Sequence, residues 1–195
     1  MAATSSRMLQ LGTKAPSFSL INATGGVVSL SNFDEAKVLV VMFIWNHCPY
    51  VMHLNKALVE FANDFKAMGV ECVAISSNDV EKYPQDGIEF MAQLAKEMCF
   101  PFPYLLDETQ EIAKAYQAAC TPDFYVFDSN KNLYYRGQFD NSRPGNDKLV
   151  TGSDLRGATQ ALLGGKSSYE PQIPSIGCNI KWKPGNEPEY FKVKK

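Results

Sequence analysis

Five cysteines, at positions 48, 72, 99, 120 and 178, are the side chains of this 195-residue chain with the most chemistry to offer. One of them has a setting that favours reactivity. Cys48 follows the apolar run Val38-Leu39-Val40-Val41-Met42-Phe43 and the polar pair Asn46-His47, and it directly precedes Pro49. The run reads as a buried strand. Pro49 suits the first position of a helix, where the N–H it lacks would have no partner anyway. The helix then carries Val51, Leu54, Leu58, Phe61, Phe65 and Met68 three or four residues apart, and Gly69 ends it. Cys48 is thereby set against unpaired N–H groups and the positive end of a helix dipole, which lowers a thiol pKa. A thiolate there attacks a disulfide to give a mixed disulfide, or a peroxide to give a sulfenic acid. The competing reading is a small buried hydrophobe, the usual role of a cysteine in an intracellular protein.

The other candidates are weaker. No two cysteines stand in a CxxC pair, which excludes a zinc ribbon and a dithiol motif, and an odd, scattered set argues against a structural disulfide framework. Cys72, inside a strand-like run, reads as core, and Cys99, before Phe100-Pro101-Phe102-Pro103, as packing. His47 either favours the neighbouring thiolate as imidazolium or lines a polar rim. His53 reads as a surface or packing residue. Trp45 and Tyr50 offer an apolar rim for a protein or peptide partner. Arg136, Asp140 and Arg143 either shape substrate entry or are solvated charges. The histidines and cysteines show no metal-ligand spacing, so neither a metal nor a cofactor is expected.

Around Cys48 the pattern predicts short strands at 17–20 and 27–30 joined by a turn, a buried strand at 38–43, a helix at 49–68 and a second apolar strand at 70–76. Strand, helix and strand so connected form a right-handed βαβ unit. Asp86 with Glu89 predicts a capped helix at 87–98, and Asp107 with Gln110 another at 108–118 after a strand at 104–106. Pro122 stands directly before an alternating strand; a proline donates nothing to a ladder, so it belongs at a strand's first residue or a special turn. A turn at 129–132 leads into a strand at 133–136. A long polar loop at 138–152, functional or disordered by its length, precedes a helix at 153–163.

The composition is 45% hydrophobic and 21% charged with a formal net charge of −2, which gives no footing for nucleic acid or an anionic membrane as partner. No apolar run approaches a membrane span, and the first ten residues lack the apolar core of a secretory signal, so a cytoplasmic location is expected. The expected organisation is a loosely held arm over residues 1–14, one domain over 15–165, and a Pro-rich, irregular extension over 166–195 that packs back on it.

Phe43-x-Trp45-x-x-Cys48-Pro49 at a strand–helix junction, together with Thr121-Pro122 before a hairpin, resembles the thioredoxin fold. More narrowly, Asn46-His-Cys-Pro-Tyr-Val51, Cys120-Thr-Pro-Asp-Phe124, Tyr135-Arg-Gly137, Ser142-Arg-Pro-Gly145 and Ser175-Ile-Gly-Cys-Asn-Ile-Lys-Trp182 are similar to the redoxin branch, the alkyl hydroperoxide reductase and thiol-specific antioxidant proteins, and within it to a peroxiredoxin-like group. The resemblance runs over roughly residues 10–190. It implies an α/β fold with a central mixed sheet flanked by helices and an N-terminal β-hairpin, and a cis Thr121–Pro122 bond against Cys48. It also implies a thiol oxidoreductase that uses Cys48 as nucleophile on a disulfide-containing protein or a peroxide, with an external thiol as a possible reductant. Trp45, His47, Pro49, Thr121 and Pro122 would shape the site. The chain departs from both catalytic patterns of that branch. Val51 stands where a dithiol enzyme has its second cysteine, and Trp45 and Val41 stand where a peroxidatic pattern has Thr or Ser and proline. Resolution of an oxidised Cys48 therefore falls to Cys178 in the extension, to Cys120 beside Pro122, or to an external thiol. A non-catalytic redox sensor or protein-binding module is the alternative reading, and the oligomeric state is left open.

Overall fold

The structure is a computed structural model that describes residues 3–191. Its centre is β4 (Val38–Phe43), in which all six residues are buried. The alternation of a strand sends its side chains to two separate cores. Val38, Val40 and Met42 pack with Leu54, Leu58, Phe61 and Phe65 of α1 (Pro49–Lys66) and with Leu155 and Ala158 of α4 (Ser153–Leu163). Leu39, Val41 and Phe43 pack on the other face with Ala113 of α3 (Glu111–Ala115), Tyr116, and Trp182 of the C-terminal extension. A fully buried side chain of this size contributes about 1.5–3 kcal/mol relative to an exposed one, so both faces of β4 hold the molecule together.

β4 is flanked by β5 (Val70–Ser76) in parallel and by β8 (Asp123–Phe127) antiparallel. Outwards from β5 come β6 (Tyr104–Leu106), parallel, and then the hairpin of β2 (Ser19–Asn22) and β3 (Val27–Ser29); outwards from β8 lies β9 (Leu133–Gly137). The result is a mixed seven-stranded sheet in the order β3-β2-β6-β5-β4-β8-β9, flanked by helices, as the thioredoxin-like reading required.

A second, three-stranded sheet is formed by β1 (Ala3–Ser5), β10 (Ile176–Asn179) and β7 (Cys120–Thr121), with β10 in the middle. It corrects two expectations. Residues 3–14 are not a loose arm: β1 pairs with β10, the Ser6 N–H donates to the Ser175 carbonyl at 2.9 Å, and Leu9 is buried. Nor is the extension irregular throughout, because its residues 176–179 are a strand.

Three other expectations shift for local reasons. α2 (Ile88–Glu97) begins with Gly87, not Asp86, as its cap; the Asp86 side chain is fully buried and turned inward. The helix expected at 108–118 shrinks to α3 because Gln110, at φ 66°, starts it late, although the Asp107 carboxylate still accepts the Ala113 N–H at 2.9 Å. The loop at 138–152 is organised around buried Asp140, whose carboxylate accepts the N–H groups of Ser142, Thr151 and Gly152 at 2.8, 2.7 and 2.6 Å. Asp140 is thus a loop anchor. Cys99, expected to pack, is exposed.

Candidate functional site

Cys48 is the residue that caps the start of α1; its backbone carbonyl accepts the Met52 N–H at 2.9 Å, and Pro49 follows at the first helical position. The Thr121–Pro122 peptide bond is cis and places the Thr121 carbonyl 3.2 Å from the Cys48 sulfur, which donates to it when protonated. The Thr121 hydroxyl, without another hydrogen-bond partner among the described residues, faces the same sulfur. β10 then brings Cys178 to the site, because its register places Cys178 opposite Thr121. Gly177 makes that approach possible: a Cβ at this position would lie 1.9 Å from the Thr121 carbonyl oxygen.

The largest cause that holds the Cys48 pKa down from 9.0 to about 6 is hydrogen bonding from the Cys178 thiol. Burial opposes it, and bonds from Thr121 and from the N–H groups of Val51 and Cys178 assist. The same bond, together with burial, pushes the Cys178 thiol up. Within the pair Cys48 is therefore the sulfur favoured as thiolate and Cys178 the one favoured as thiol. The helix start contributes as expected from sequence, through the Val51 N–H, but the second cysteine contributes more.

Cys48 is buried outright, with 0% of its surface exposed, so it is not an open helix-end thiol. β10 covers it. Trp45 is buried as well and does not form a rim; its ring lies 5.5 Å beneath the ammonium of Lys181. His47 keeps its place at the edge, with its side chain 51% exposed and Nδ1 3.2 Å from Asp86 Oδ1. The other Asp86 oxygen accepts from Asn78 Nδ2 at 3.0 Å, and Asn78 Oδ1 accepts the Lys181 N–H at 3.0 Å. Burial raises the Asp86 pKa; the bonds from Asn78 and His47 partly offset that. His53 lies 2.7 Å from the Ser142 hydroxyl, a tie between α1 and the loop at 138–152.

Cys120 lies next to Thr121, but its side chain is buried, 3.8 Å from the Ser175 carbonyl, and burial holds its thiol protonated. Of the two in-chain candidates, Cys178 is the one hydrogen-bonded to Cys48. Among the described residues, no group of three or more His, Cys, Asp or Glu is placed to hold a metal ion, and no helix is long and apolar enough to cross a membrane.

Sequence reasoning missed Lys181, Asp86, Gly177 and Asp123. Asp123 follows the cis proline and is 1% exposed; burial pushes its pKa from 3.8 up to about 7, against a hydrogen bond from the Tyr125 hydroxyl at 3.0 Å. A carboxyl that stays protonated in the fold but ionises in the unfolded chain from about pH 4 draws stability down as pH rises. Its contribution is full below the unfolded pKa and is lost by the folded one, about 4 kcal/mol over that window. Asp123→Asn is expected to cancel this loss, so that the variant gains on the parent between about pH 4 and pH 7 in denaturant titrations; parallel curves would contradict it.

A thiol at a strand–helix junction, set against a cis proline in a sheet of this order, defines a thioredoxin-like fold. Residues 11–136 match the AhpC/TSA family, and the chain belongs to that family. It is 29% identical over 189 residues to a peroxiredoxin of Thermoplasma volcanium, covering 91% of this chain and 83% of that one. It is 28% identical over 134 residues to peroxiredoxin 2 of Picrophilus torridus; that match covers 66% of this chain and 59% of the relative, less than two-thirds of its length. Among solved structures, an uncharacterized conserved protein from Geobacillus kaustophilus superimposes with a TM-score of 0.93 at 54% identity, covering 95% of this chain and 98% of that one. The peroxidoxin BcpB of Mycobacterium tuberculosis, at 17% identity and a TM-score of 0.61 over 80% of this chain and 97% of that one, shares the fold.

Proposed function

We propose that the protein is a thiol-dependent oxidoreductase in which Cys48 is the redox nucleophile and Cys178 the resolving thiol. The observation that carries this reading is the strand register that puts Cys178 opposite Thr121, whose carbonyl lies 3.2 Å from the Cys48 sulfur at the cis proline. With a peroxide, the Cys48 thiolate attacks one oxygen, the O–O bond breaks, and the alkoxide or hydroxide leaves and takes up a proton. The resulting sulfenic acid is attacked by Cys178; the S–S bond forms, the S–O bond breaks, and water departs. With a disulfide, the same two steps are thiol–disulfide exchanges. An external thiol returns the pair to the reduced state, as a reducing compartment such as the cytoplasm supplies. The burial of Cys48 and the residues Trp45 and Val41 at the positions of the peroxidatic pattern favour one alternative, a sensor that reacts once.

Mild oxidation followed by non-reducing peptide mapping is expected to find Cys48 linked to Cys178, with Cys72, Cys99 and Cys120 free. Repeated consumption of oxidant with glutathione or thioredoxin supplied marks the enzyme, and one stoichiometric event marks the sensor. Sulfenic acid trapped on Cys48 with Cys178 still free would remove Cys178 from the mechanism.

A further inference from the structure

The Lys181 side chain is held by residues near Cys48 and Cys178 in the chain. Its ammonium donates to the Asn179 carbonyl at 3.1 Å and to Asn179 Oδ1 at 2.7 Å, one residue from Cys178. It also lies over the ring of Trp45, whose carbonyl accepts the Cys48 N–H at 3.5 Å. The backbone beneath it is fixed from three sides: its N–H donates to Asn78 Oδ1, and its carbonyl accepts from the Asp79 N–H at 2.8 Å and from Gln110 Nε2 at 2.9 Å. The charged groups that face the ammonium are the Cys178 and Cys48 sulfurs and the Asp86 carboxylate, which His47 binds on its far side. Burial strips water from the ammonium and lowers its pKa; the three acidic neighbours oppose that.

From this placement we infer that Lys181 is the positioning residue that activates Cys178, and that it does so only after Cys48 has reacted; the inference rests on the assignment of Cys178 as resolving thiol. In the reduced pair the Cys48 pKa is held down and the Cys178 pKa pushed up by their mutual bond, so the pair favours the charge on Cys48 and the proton on Cys178. Once Cys48 has become half of a mixed disulfide, its sulfur is neutral and no longer holds the Cys178 proton. The Lys181 cation, which lowers the Cys178 pKa, is then no longer outweighed by the Cys48 charge. It favours loss of the proton to solvent, and the Cys178 thiolate attacks the Cys48 sulfur, forming the intramolecular disulfide as the bond to the bound thiol breaks and that thiolate leaves. The first reaction thus switches on the second.

An aromatic disulfide that releases coloured thiolate, dithionitrobenzoate, separates the two steps. In a Cys99→Ser background, which removes the exposed thiol, the first coloured equivalent reports attack by Cys48 and the second reports attack by Cys178. The second phase is recorded from about pH 5 to about pH 9 for the parent, Lys181→Met and Lys181→Arg. Lys181→Met is expected to slow the second phase about tenfold more than the first at neutral pH and to move the midpoint of the second upward by about one unit. Lys181→Arg, which keeps the charge, is expected to restore most of the rate. A second phase with the same rate and midpoint in Lys181→Met overturns the inference while the cysteine assignment stands. Equal loss in the methionine and arginine variants overturns it too, in favour of packing against Trp45. A parent that releases only one equivalent instead overturns the assignment of Cys178, and the inference falls with it.

Discussion

Replacing Cys178 by alanine is expected to raise the Cys48 pKa well above its present value of about 6, because it deletes the largest cause of the depression and leaves only Thr121 and the backbone N–H groups to oppose burial. Each unit by which the midpoint rises past neutrality removes about tenfold of the thiolate, and so of the nucleophile, at neutral pH. The quantity to measure is the midpoint of the pH–rate profile for alkylation of Cys48 by iodoacetamide. The midpoint reports ionisation, whereas the absolute rate also reports the extra access that a smaller side chain gives. Below the native midpoint the parent and variant both carry protonated Cys48 and their profiles differ little; the separation opens as pH rises through about 6 and closes again only above the variant's own midpoint. A midpoint that stays near 6 in the variant would transfer the depression to the helix start and Thr121. Cys48→Ser serves as the blank and is expected to abolish the fast alkylation altogether.

The second large effect belongs to a residue with no chemistry of its own. Glycine to alanine in an ordinary strand is harmless or mildly stabilising, since it restricts the unfolded chain. At Gly177 the added Cβ would meet the Thr121 carbonyl oxygen at 1.9 Å and its carbon at 2.6 Å, both backbone atoms on the strand that carries the cis bond. Neither can rotate away, so β10 must leave β7. Gly177→Ala is expected to cost about 2–4 kcal/mol in urea unfolding, beyond the usual range for overpacking by a methyl group because backbone must move. The same displacement takes Cys178 away from Cys48, so the variant should also show an upward midpoint for Cys48 with Cys178 still in the sequence. A variant as stable as the parent would mean that β10 is not held against Thr121.

Much of the frame was legible in the sequence because its signals are local. The run at 38–43, the periodic face of α1 and the alternation after Pro122 are each decided by neighbours within a few residues, and β4, β5, β6 and α4 fall where the pattern places them. Cys48 was legible for the same reason, since Pro49 follows it directly. What could not be read were relations between distant segments. That Cys178 lies opposite Thr121 depends on a strand register across 57 positions, and the tail has no periodicity to announce a strand. Asp86 was misread as a helix cap because a capping box is a sequence pattern shared with other uses of aspartate; here Asn78 and His47 hold the carboxylate, and Gly87 takes the cap. Lys181 carried the weakest signal of all. A lysine in a polar tail ordinarily points into solvent, and only the fold sets this one on the face of Trp45.

The cover over the sulfur is thin. β10 meets β7 in two register pairs, Cys178 with Thr121 and Asn179 with Cys120, and on its other side it has only the three residues of β1. Lifting this strand breaks only its ladder pairs and the flanking bonds of Ser175, Ile180 and Lys181, so it takes less free energy than unfolding the whole molecule. The time for which Cys48 is uncovered is therefore set by the fraying of a short three-stranded flap, independently of how nucleophilic the sulfur is. Chemical reactivity and exposure thus lie on separate parts of the chain. A reagent small enough to pass the closed flap meets the thiolate directly, while a bulky one must wait for the flap to lift.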